Sequence, residues 1–364
     1  MGSLTNRGVR GAREGERPAP RRRSDPPDGG VIDRPRRGAR GGQRTADAGA
    51  RHADARQGDP LAAPPARQGD PLAAAPAHQG DPRATPPAGA VIIPAHDEAA
   101  VIGRALRALA PLTELEGVEV IVACNGCRDD TADIARGFTG VGVVELEAAS
   151  KTEALNAADR VATAWPRLYL DADVELDAEA ALAVFAELRR PGVLAARPPH
   201  VYDIRRATAP VRAYYRARAR IPGPRRRLWG AGAYATNQAG HGRFGRFAPV
   251  TADDSWFDGH FAHDEKRIVD AAATVVHTPR DVATLLGLLA RQRRGYVDLQ
   301  IASGASERSR ALLSSVRGPR SALDALCYVA LTLAARLRRH PATADPTATP
   351  WERDGSSRVD GADR

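Results

Sequence analysis

The chain has 364 residues, a formal net charge of +9 and 43% hydrophobic residues, so it is long and apolar enough to bury a sizeable core. Lys151 and Lys266 are its only lysines, and the arginine excess accompanies a composition rich in Ala, Gly and Pro. The positive charge therefore predicts no specific nucleic-acid partner. Three cysteines, at 124, 127 and 327, exclude a disulfide framework and indicate a reducing cytoplasm.

The first 88 residues lack the large apolar side chains that a folded core requires. They contain 16 arginines and 10 acidic residues, and the sequence Gln-Gly-Asp-Pro recurs at Gln57, Gln68 and Gln79. Three short copies that each contain proline do not build a solenoid, so we expect a disordered tail over 1–88. No apolar segment follows the arginine triplet at 21–23, and we therefore expect no signal peptide.

From residue 89 onward, short apolar runs alternate with segments of helical periodicity. Strands are predicted at 90–94, 118–123, 141–146, 168–170 and 193–196. Helices are predicted between them, and Ser150 with Glu153 forms a capping box ahead of one helix. This alternation predicts a parallel sheet with right-handed crossover connections.

After residue 197 the regular alternation ends. We predict a helix over 204–220, a strand within 228–237 and a helix over 285–299. The glycines at 230 and 232 indicate a strand that approaches a ligand or another backbone closely. The expected boundaries are a tail over 1–88, a catalytic domain over 89–300, a helical segment over 301–340 and a flexible tail over 341–364.

The helical segment near the C-terminus has two interpretations. Its apolar residues over 322–337 are followed by arginines at 336, 338 and 339, a pattern typical of a helix on an anionic membrane surface. The alternative is a helix packed on the catalytic domain. The longest apolar run, 325–335, is far short of the ~20 residues that span a bilayer.

Two carboxylates follow the strand predicted at 168–170. In open α/β sheets, ligands bind at the carboxyl ends of the strands, where Asp171 and Asp173 are expected. Carboxylate oxygens suit a hard divalent cation, which can also hold a diphosphate. Acidic pairs also cap helices and line turns, so the pair alone does not decide between these roles.

The segment Cys124-Asn125-Gly126-Cys127 follows the second predicted strand. It matches the Cys-x-x-Cys pattern of zinc and redox sites. A zinc site would need two more ligands, and the chain contains no second such pair.

Several segments, taken in order, resemble the motifs of the family 2 glycosyltransferases. They are 92–98, 125–131, 151–156, Asp171-Ala172-Asp173, Asp253-Asp254 and 292–296. The chain departs from the family pattern at Asp97, at Asn125 and in the last segment, which lacks an arginine and the tryptophan of processive synthases. The resemblance implies an α/β GT-A (Rossmann-like) fold, a mostly parallel sheet flanked by helices, with a disordered N-terminal tail and a C-terminal helix.

The resemblance also implies roles for individual residues. Asp173 and Asp171 are expected to hold a divalent metal, Mn or Mg, and Asp254 to act as general base, with Asp253 raising its pKa by like-charge repulsion. The residues expected at the nucleotide sugar are Pro94, His96, Glu98, Asn125, Lys151, Asp171, Arg293 and Arg294. The alternatives are helix capping for Asp253-Asp254, an exposed helix start for Lys151 and a solvated helix face for at least one of the two arginines.

The predicted function is metal-dependent, inverting transfer of one sugar from a nucleotide-sugar donor to a saccharide or lipid-linked acceptor. We expect the enzyme in the cytoplasm, with peripheral membrane contact if the C-terminal helix binds lipid. A sugar-phosphate nucleotidyltransferase is one alternative, although it needs a Gly-rich, Arg-containing loop where this chain has 95–98. The other alternative is a non-catalytic protein whose arginine-rich tail binds polyanions.

Overall fold

A computed structural model describes residues 30–32, 87–147, 149–221, 226–299 and 305–337. Most of the tail predicted over 1–88 and all of the tail predicted over 341–364 lie outside the described residues. The remaining predictions on secondary structure fall within them.

The described strands form two sheets. In chain order they are β1 (Gly30–Ile32), β2 (Gly89–Ala95), β3 (Val118–Asn125), β4 (Val141–Leu146), β5 (Arg167–Leu170), β6 (Ala195–Arg197), β7 (His200–Asp203), β8 (Ala233–Thr236), β9 (Lys266–Ile268) and β10 (Thr274–His277). The larger sheet has the order β4-β3-β2-β5-β8-β6-β9, and within it only β8 runs antiparallel to its neighbours. The smaller sheet is parallel, with the order β1-β7-β10.

Ten α-helices lie within the described residues. They are α1 (Ile102–Leu109), α2 (Thr131–Arg136), α3 (Lys151–Val161), α4 (Ala178–Leu188), α5 (Ala209–Arg220), α6 (Gln238–His241), α7 (Asp253–Asp258), α8 (Val282–Asp298), α9 (Ala305–Ser314) and α10 (Pro319–Leu337). The mostly parallel sheet flanked by helices is confirmed. Side-chain caps start α3 and α4, where Ser150 accepts from the Glu153 N–H and Asp177 accepts from the Glu179 N–H.

The core lies on both faces of the larger sheet, and the inner strand β2 is therefore buried throughout. Val91 and Ile93 pack with α1, α2 and α4 on one face. Ala90 and Ile92 pack with α3 and α7 on the other face. Such two-sided burial explains why β2 is a continuous apolar run in the sequence.

The neighbouring strands β3, β2 and β5 all end at one edge of the sheet. The residues that follow them, at 96–98, 126–128 and 171–173, therefore meet in the crevice where α/β sheets bind ligands. The reversed strand β8 begins at this edge. Its preceding residues, among them Gly230 and Gly232, join the same crevice, and the Gly232 carbonyl accepts from the Asp171 N–H at 2.8 Å.

Three elements differ from the sequence expectation. The helix predicted over 204–220 begins only at α5, since Pro210 occupies its first turn and favours a helix start there. The strand expected within 228–237 is shortened to β8 because Gly230 and Gly232 adopt φ of +79° and +64°. Within the tail predicted to be disordered, β1 pairs with β7; valine and isoleucine favour strands, and β7 offers an unpaired edge.

The C-terminal helix α10 packs on α5 and α8. The carboxylate of Asp324, which is 1% exposed, accepts from Arg216 at 2.7 Å and from Arg220 at 3.1 Å. Burial by itself would raise the pKa of Asp324, but the hydrogen bonds from the two arginines lower it. The rings of Tyr214 and Tyr328 stack with centroids 4.9 Å apart. None of the described helices is both long and apolar enough to span a membrane.

Candidate active site

Lys151 forms ion pairs with one member of each acidic pair, Asp171 of Asp171-Asp173 and Asp253 of Asp253-Asp254. Its ammonium lies 2.7 Å from Oδ1 of Asp171 and 3.0 Å from Oδ2 of Asp253. Lys151 reaches them from the first turn of α3, while Asp171 follows β5 and Asp253 starts α7. Burial would lower the pKa of Lys151, but these carboxylates outweigh it and raise the pKa. The lysine is therefore charged at neutral pH, and it is not an exposed helix start.

Asp253 and Asp254 are held in different ways, although they are adjacent in α7. Asp253 is 4% exposed and accepts a hydrogen bond of 2.6 Å from the Tyr234 hydroxyl. Asp254 is half-buried, and its Oδ2 accepts from the Gly230 N–H at 2.8 Å. The helix cap is Ala252, without a side-chain bond, so neither aspartate is the N-cap residue.

The environment of Asp254 changes its acidity. Burial raises the pKa of its carboxyl group from 3.8 to about 6, and the neighbouring charge of Asp253 adds to this shift. The Gly230 N–H and Lys151 act in the opposite direction. A carboxylate with a pKa near the working pH is suited to accept a proton during catalysis.

Asp171 and Asp173 lie in the turn after β5, and both are half-buried. Their carboxylate oxygens are the hard donors that Mg²⁺ and Mn²⁺ prefer. The segment before β8 passes close to this pair, because a Cβ at Gly232 would lie 3.5 Å from Oδ2 of Asp171. The donor set fits a divalent cation.

Replacing Gly232 by alanine is expected to destabilise this turn. The added Cβ would meet Cγ2 of Val174 at 2.4 Å, at a position whose φ is +64°. Gly245 has the same φ of +64° with no atom within 4 Å of an added Cβ, so Gly245→Ala is a matched control for backbone strain alone. Urea unfolding should show a loss larger by about 1–3 kcal/mol for Gly232→Ala. Equal losses for the two variants would contradict the close packing of Gly232 on Val174.

The residues predicted at the nucleotide form the adjoining part of the edge. Pro94 is buried within β2, and His96 and Glu98 are 8% and 5% exposed in the loop that follows. Nδ1 of His96 donates to the Asn125 carbonyl at 2.6 Å. Asn125 is 0% exposed and its Nδ2 donates to the Ala95 carbonyl at 2.9 Å, so this amide links β3 to β2 from inside the sheet.

The two cysteines at this edge are free thiols in hydrogen-bond contact. The thiol of Cys127 donates to the Ala95 carbonyl at 3.5 Å, and the buried Cys124 lies in hydrogen-bond contact with Cys127. This contact between the two cysteines lowers the pKa of Cys127 to about 7 and raises the pKa of Cys124. Cys127 is therefore the more readily ionised cysteine of the pair.

The structure does not bring Arg293 to the acidic residues. Arg293 is exposed on α8, and its Nη1 donates to the Arg336 carbonyl of α10 at 3.1 Å. Arg294 is half-buried on the same helix. What α8 brings to the site is Gly295, where an added Cβ would lie 2.7 Å from Cβ of Ala252, directly before the two aspartates.

Sequence reasoning missed three residues of the site. Tyr234 donates to Asp253. Tyr296 lies near Asp254: burial raises the pKa of Tyr296, and the negative charge of Asp254 raises it further. Trp229 packs against Tyr296 with ring centroids 6.0 Å apart. The signal available was the pair of glycines at 230 and 232, which marks the segment before β8 as close to a ligand or to another backbone.

The sequence matches a known protein family over part of the chain. Residues 90–250 match the family model of the glycosyl transferase family 2. The chain is a glycosyltransferase, and the match confirms over these residues the resemblance to family 2 found in the sequence. The match favours a glycosyltransferase over the nucleotidyltransferase and the non-catalytic alternatives.

Three solved structures are similar to the chain. A mannosyltransferase from Pyrobaculum calidifontis, in complex with GDP-Man and Mn2+, is 20% identical over 70% of this chain and 74% of its own, with a TM-score of 0.47. Glucosyl-3-phosphoglycerate synthase from Mycobacterium tuberculosis, with Mn2+, UDP and glucosyl-3-phosphoglycerate, is 21% identical over 56% and 79%, with a TM-score of 0.42. TarS 1-349 from S. aureus, with UDP-GlcNAc, is 15% identical over 68% and 91%, with a TM-score of 0.41. No curated protein matches the chain.

Proposed function

We propose that the protein transfers one glycosyl group from a nucleotide-sugar donor to a hydroxyl of a saccharide or lipid-linked acceptor, with inversion at the anomeric carbon. The observation that carries this proposal is the cluster of Lys151, Asp171, Asp253 and Asp254 at the carboxyl edge of the sheet. The cluster combines a carboxylate that can accept a proton, Asp254, with a cation, Lys151, that can neutralise a diphosphate.

Asp254 acts as the general base. It accepts the proton of the acceptor hydroxyl while the acceptor oxygen bonds to the anomeric carbon and the bond from that carbon to the diphosphate breaks. The Gly230 N–H fixes one carboxylate oxygen of Asp254 at 2.8 Å, which orients the side chain for this transfer. Asp253 remains bound to Tyr234 and Lys151, so it positions the lysine and raises the pKa of the base.

The leaving diphosphate lies near Asp171, Asp173 and Lys151. Asp173 and Asp171 would hold the divalent cation, Mn or Mg, which would neutralise the charge that develops on the diphosphate. Lys151 contributes a second positive charge at the same place, because it is held 2.7 Å from Asp171. The nucleoside lies against the adjoining edge beside His96 and Glu98, whereas the amide of Asn125 is turned into the sheet and does not meet the base as the sequence predicted.

Calorimetric titration tests the donor site. UDP, GDP and dTDP are titrated into the full chain with and without Mn²⁺, and one of them is expected to bind only with the metal. Asp173→Ala should lose this metal-dependent binding, while the exposed Asp270→Ala should retain it. Absence of binding of every nucleotide by the folded wild-type protein would refute the proposal.

We further propose that α10 contacts an anionic membrane surface, where a lipid-linked acceptor would be found. The helix leaves one apolar stripe exposed, formed by Leu323, Leu326, Val329, Leu333 and Leu337. Arginines at 317, 320 and 336 lie near the two ends of this helix, and they add electrostatic attraction to acidic lipids.

Liposome flotation tests the membrane contact. The wild-type protein should float with vesicles that contain phosphatidylserine, and Leu326→Glu combined with Leu333→Glu should reduce the floating fraction several-fold. Val161→Glu is the control, because Val161 is 51% exposed on α3. Equal flotation of the wild type and the double variant would contradict the proposal.

A further inference from the structure

Three potential metal ligands converge beside the proposed nucleoside edge. One ligand atom each from His96, Asp97 and Cys127 lies within 4.8 Å of the other two. His96 and Asp97 come from the loop after β2, and Cys127 comes from the loop after β3. A zinc site at the Cys-x-x-Cys segment needs ligands besides its cysteines, and the fold supplies a histidine and a carboxylate beside Cys127.

The orientation of His96 suits metal binding. Its Nδ1 donates to the Asn125 carbonyl at 2.6 Å, and a carbonyl oxygen can only accept. The proton is therefore on Nδ1, and Nε2 carries the lone pair that a metal requires. A ring nitrogen bonded to a backbone carbonyl is the usual second contact of a metal-binding histidine.

The other two ligands are also held by the backbone around them. Asp97 has a φ of +49°, and its Oδ1 accepts from the Arg128 N–H at 2.6 Å. The thiol of Cys127 donates to the Ala95 carbonyl at the end of β2, at 3.5 Å. These bonds join the two loops and turn a nitrogen, an oxygen and a sulfur donor toward one point.

We propose that His96, Asp97 and Cys127 bind a borderline-soft divalent cation of the zinc class, with a fourth position open to water or to a ligand. Zinc accepts this mixed set of donors, with bonds of about 2.0–2.3 Å. The cation ties the loop after β2 to the loop after β3 and so fixes the edge against which the nucleoside is proposed to lie.

This site differs in chemistry from the one formed by Asp171 and Asp173. A thiolate selects zinc or cobalt over Mg²⁺, whereas the two carboxylates favour hard cations. Thiolate coordination of Co²⁺ gives a charge-transfer absorption that carboxylates do not give. Cobalt absorption therefore reports on the proposed thiolate site alone, and its result does not depend on the result of the nucleotide titration.

The experiment titrates Co²⁺ into the reduced full-length protein and follows the thiolate charge-transfer band. A single equivalent is expected to develop the band, and Zn²⁺ should abolish it by displacement. Cys127→Ser should lose the band, and Asp97→Asn, which tolerates the positive φ, should weaken Co²⁺ binding at least about tenfold. Cys327→Ser on α10 removes a cysteine elsewhere and should leave the band unchanged.

The result that overturns the inference is a wild-type protein without the band, or a band that persists in Cys127→Ser. Circular dichroism of each variant establishes that the fold is retained, and Asp97→Asn provides a second test without loss of a thiol. Asp173→Ala should keep the band, because it changes only the carboxylate site. If the cobalt band develops but no nucleotide binds, the zinc-class site is supported and only the proposed donor site is refuted.

Discussion

Asp254→Asn is expected to lower kcat by about 10²–10⁴-fold, the usual contribution of a general base. The amide keeps the shape of the side chain and can still accept from the Gly230 N–H, but it cannot take up the proton of the acceptor hydroxyl. Nucleotide affinity should stay close to that of the wild type, since Asp171 and Lys151 are unchanged. Initial rates at saturating donor and isothermal titration separate the two effects.

The pH dependence of Asp254 has a defined direction. In the wild type, the rate should fall as the pH decreases through about 6, because the base becomes protonated. The residual rate of Asp254→Asn should not show this acidic limb. In the folded wild type the pKa of the Asp254 carboxyl group is raised from 3.8 to about 6, so the free energy of unfolding increases as the pH falls through that window. Asp254→Asn should lack this gain and should be more stable than the wild type at pH 7 by about 1–3 kcal/mol.

The matched control is Asp264→Asn, which removes an exposed carboxylate outside the site. It should leave kcat and the acidic limb unchanged. A kcat of Asp254→Asn within tenfold of the wild type would exclude Asp254 as the base.

Lys151→Met is expected to destabilise the fold by about 3 kcal/mol, the lower end of the range for breaking a buried ion pair. The lower end applies because Asp171 is 38% exposed, although Asp253 is only 5% exposed. The folded-state pKa of Lys151 is raised, so its stabilisation is complete below the ordinary lysine value of about 10.4 and is lost only as the pH rises through the folded value. Urea unfolding at pH 7 and above pH 10 measures this difference.

The same substitution should also change catalysis in a specific way. Lys151 lowers the pKa of Asp254, so its removal should move the acidic limb of the pH–rate profile to higher pH. Lys266→Met removes the other lysine of the chain, which pairs with Asp258 at 2.8 Å. It should cost stability without moving the acidic limb. An unmoved limb in Lys151→Met would show that the lysine does not act on the base.

The regular elements were predictable because local sequence patterns determine them. Apolar runs marked β2 to β5, and the caps at Ser150 and Asp177 set the starts of α3 and α4. The carboxyl-edge position of Asp171 followed from the strand before it. Such features depend on neighbours along the chain, so one sequence is sufficient to find them.

The contacts between distant segments were not predictable. Lys151 meets Asp253 across 102 positions of sequence, and Tyr234 reaches Asp253 from the reversed strand β8. The sequence resemblance places Arg293 at the diphosphate, but the side chain turns to Arg336, since the packing of α8 against α10 decides its direction. These pairings depend on how the helices and sheets pack, which no local pattern records.

The reversed direction of β8 has a consequence for the redesign of acceptor specificity. A parallel strand contributes its following loop to the crevice, but β8 contributes the segment before it, where Gly230 bonds to the proposed base. Libraries that vary residues 226–229 would therefore alter the surroundings of the acceptor. Residues after Thr236 lie at the opposite edge of the sheet, where Asn237 caps α6 and bonds to the Leu188 and Val193 carbonyls, so substitutions there should change stability and leave the surroundings of the acceptor unaltered.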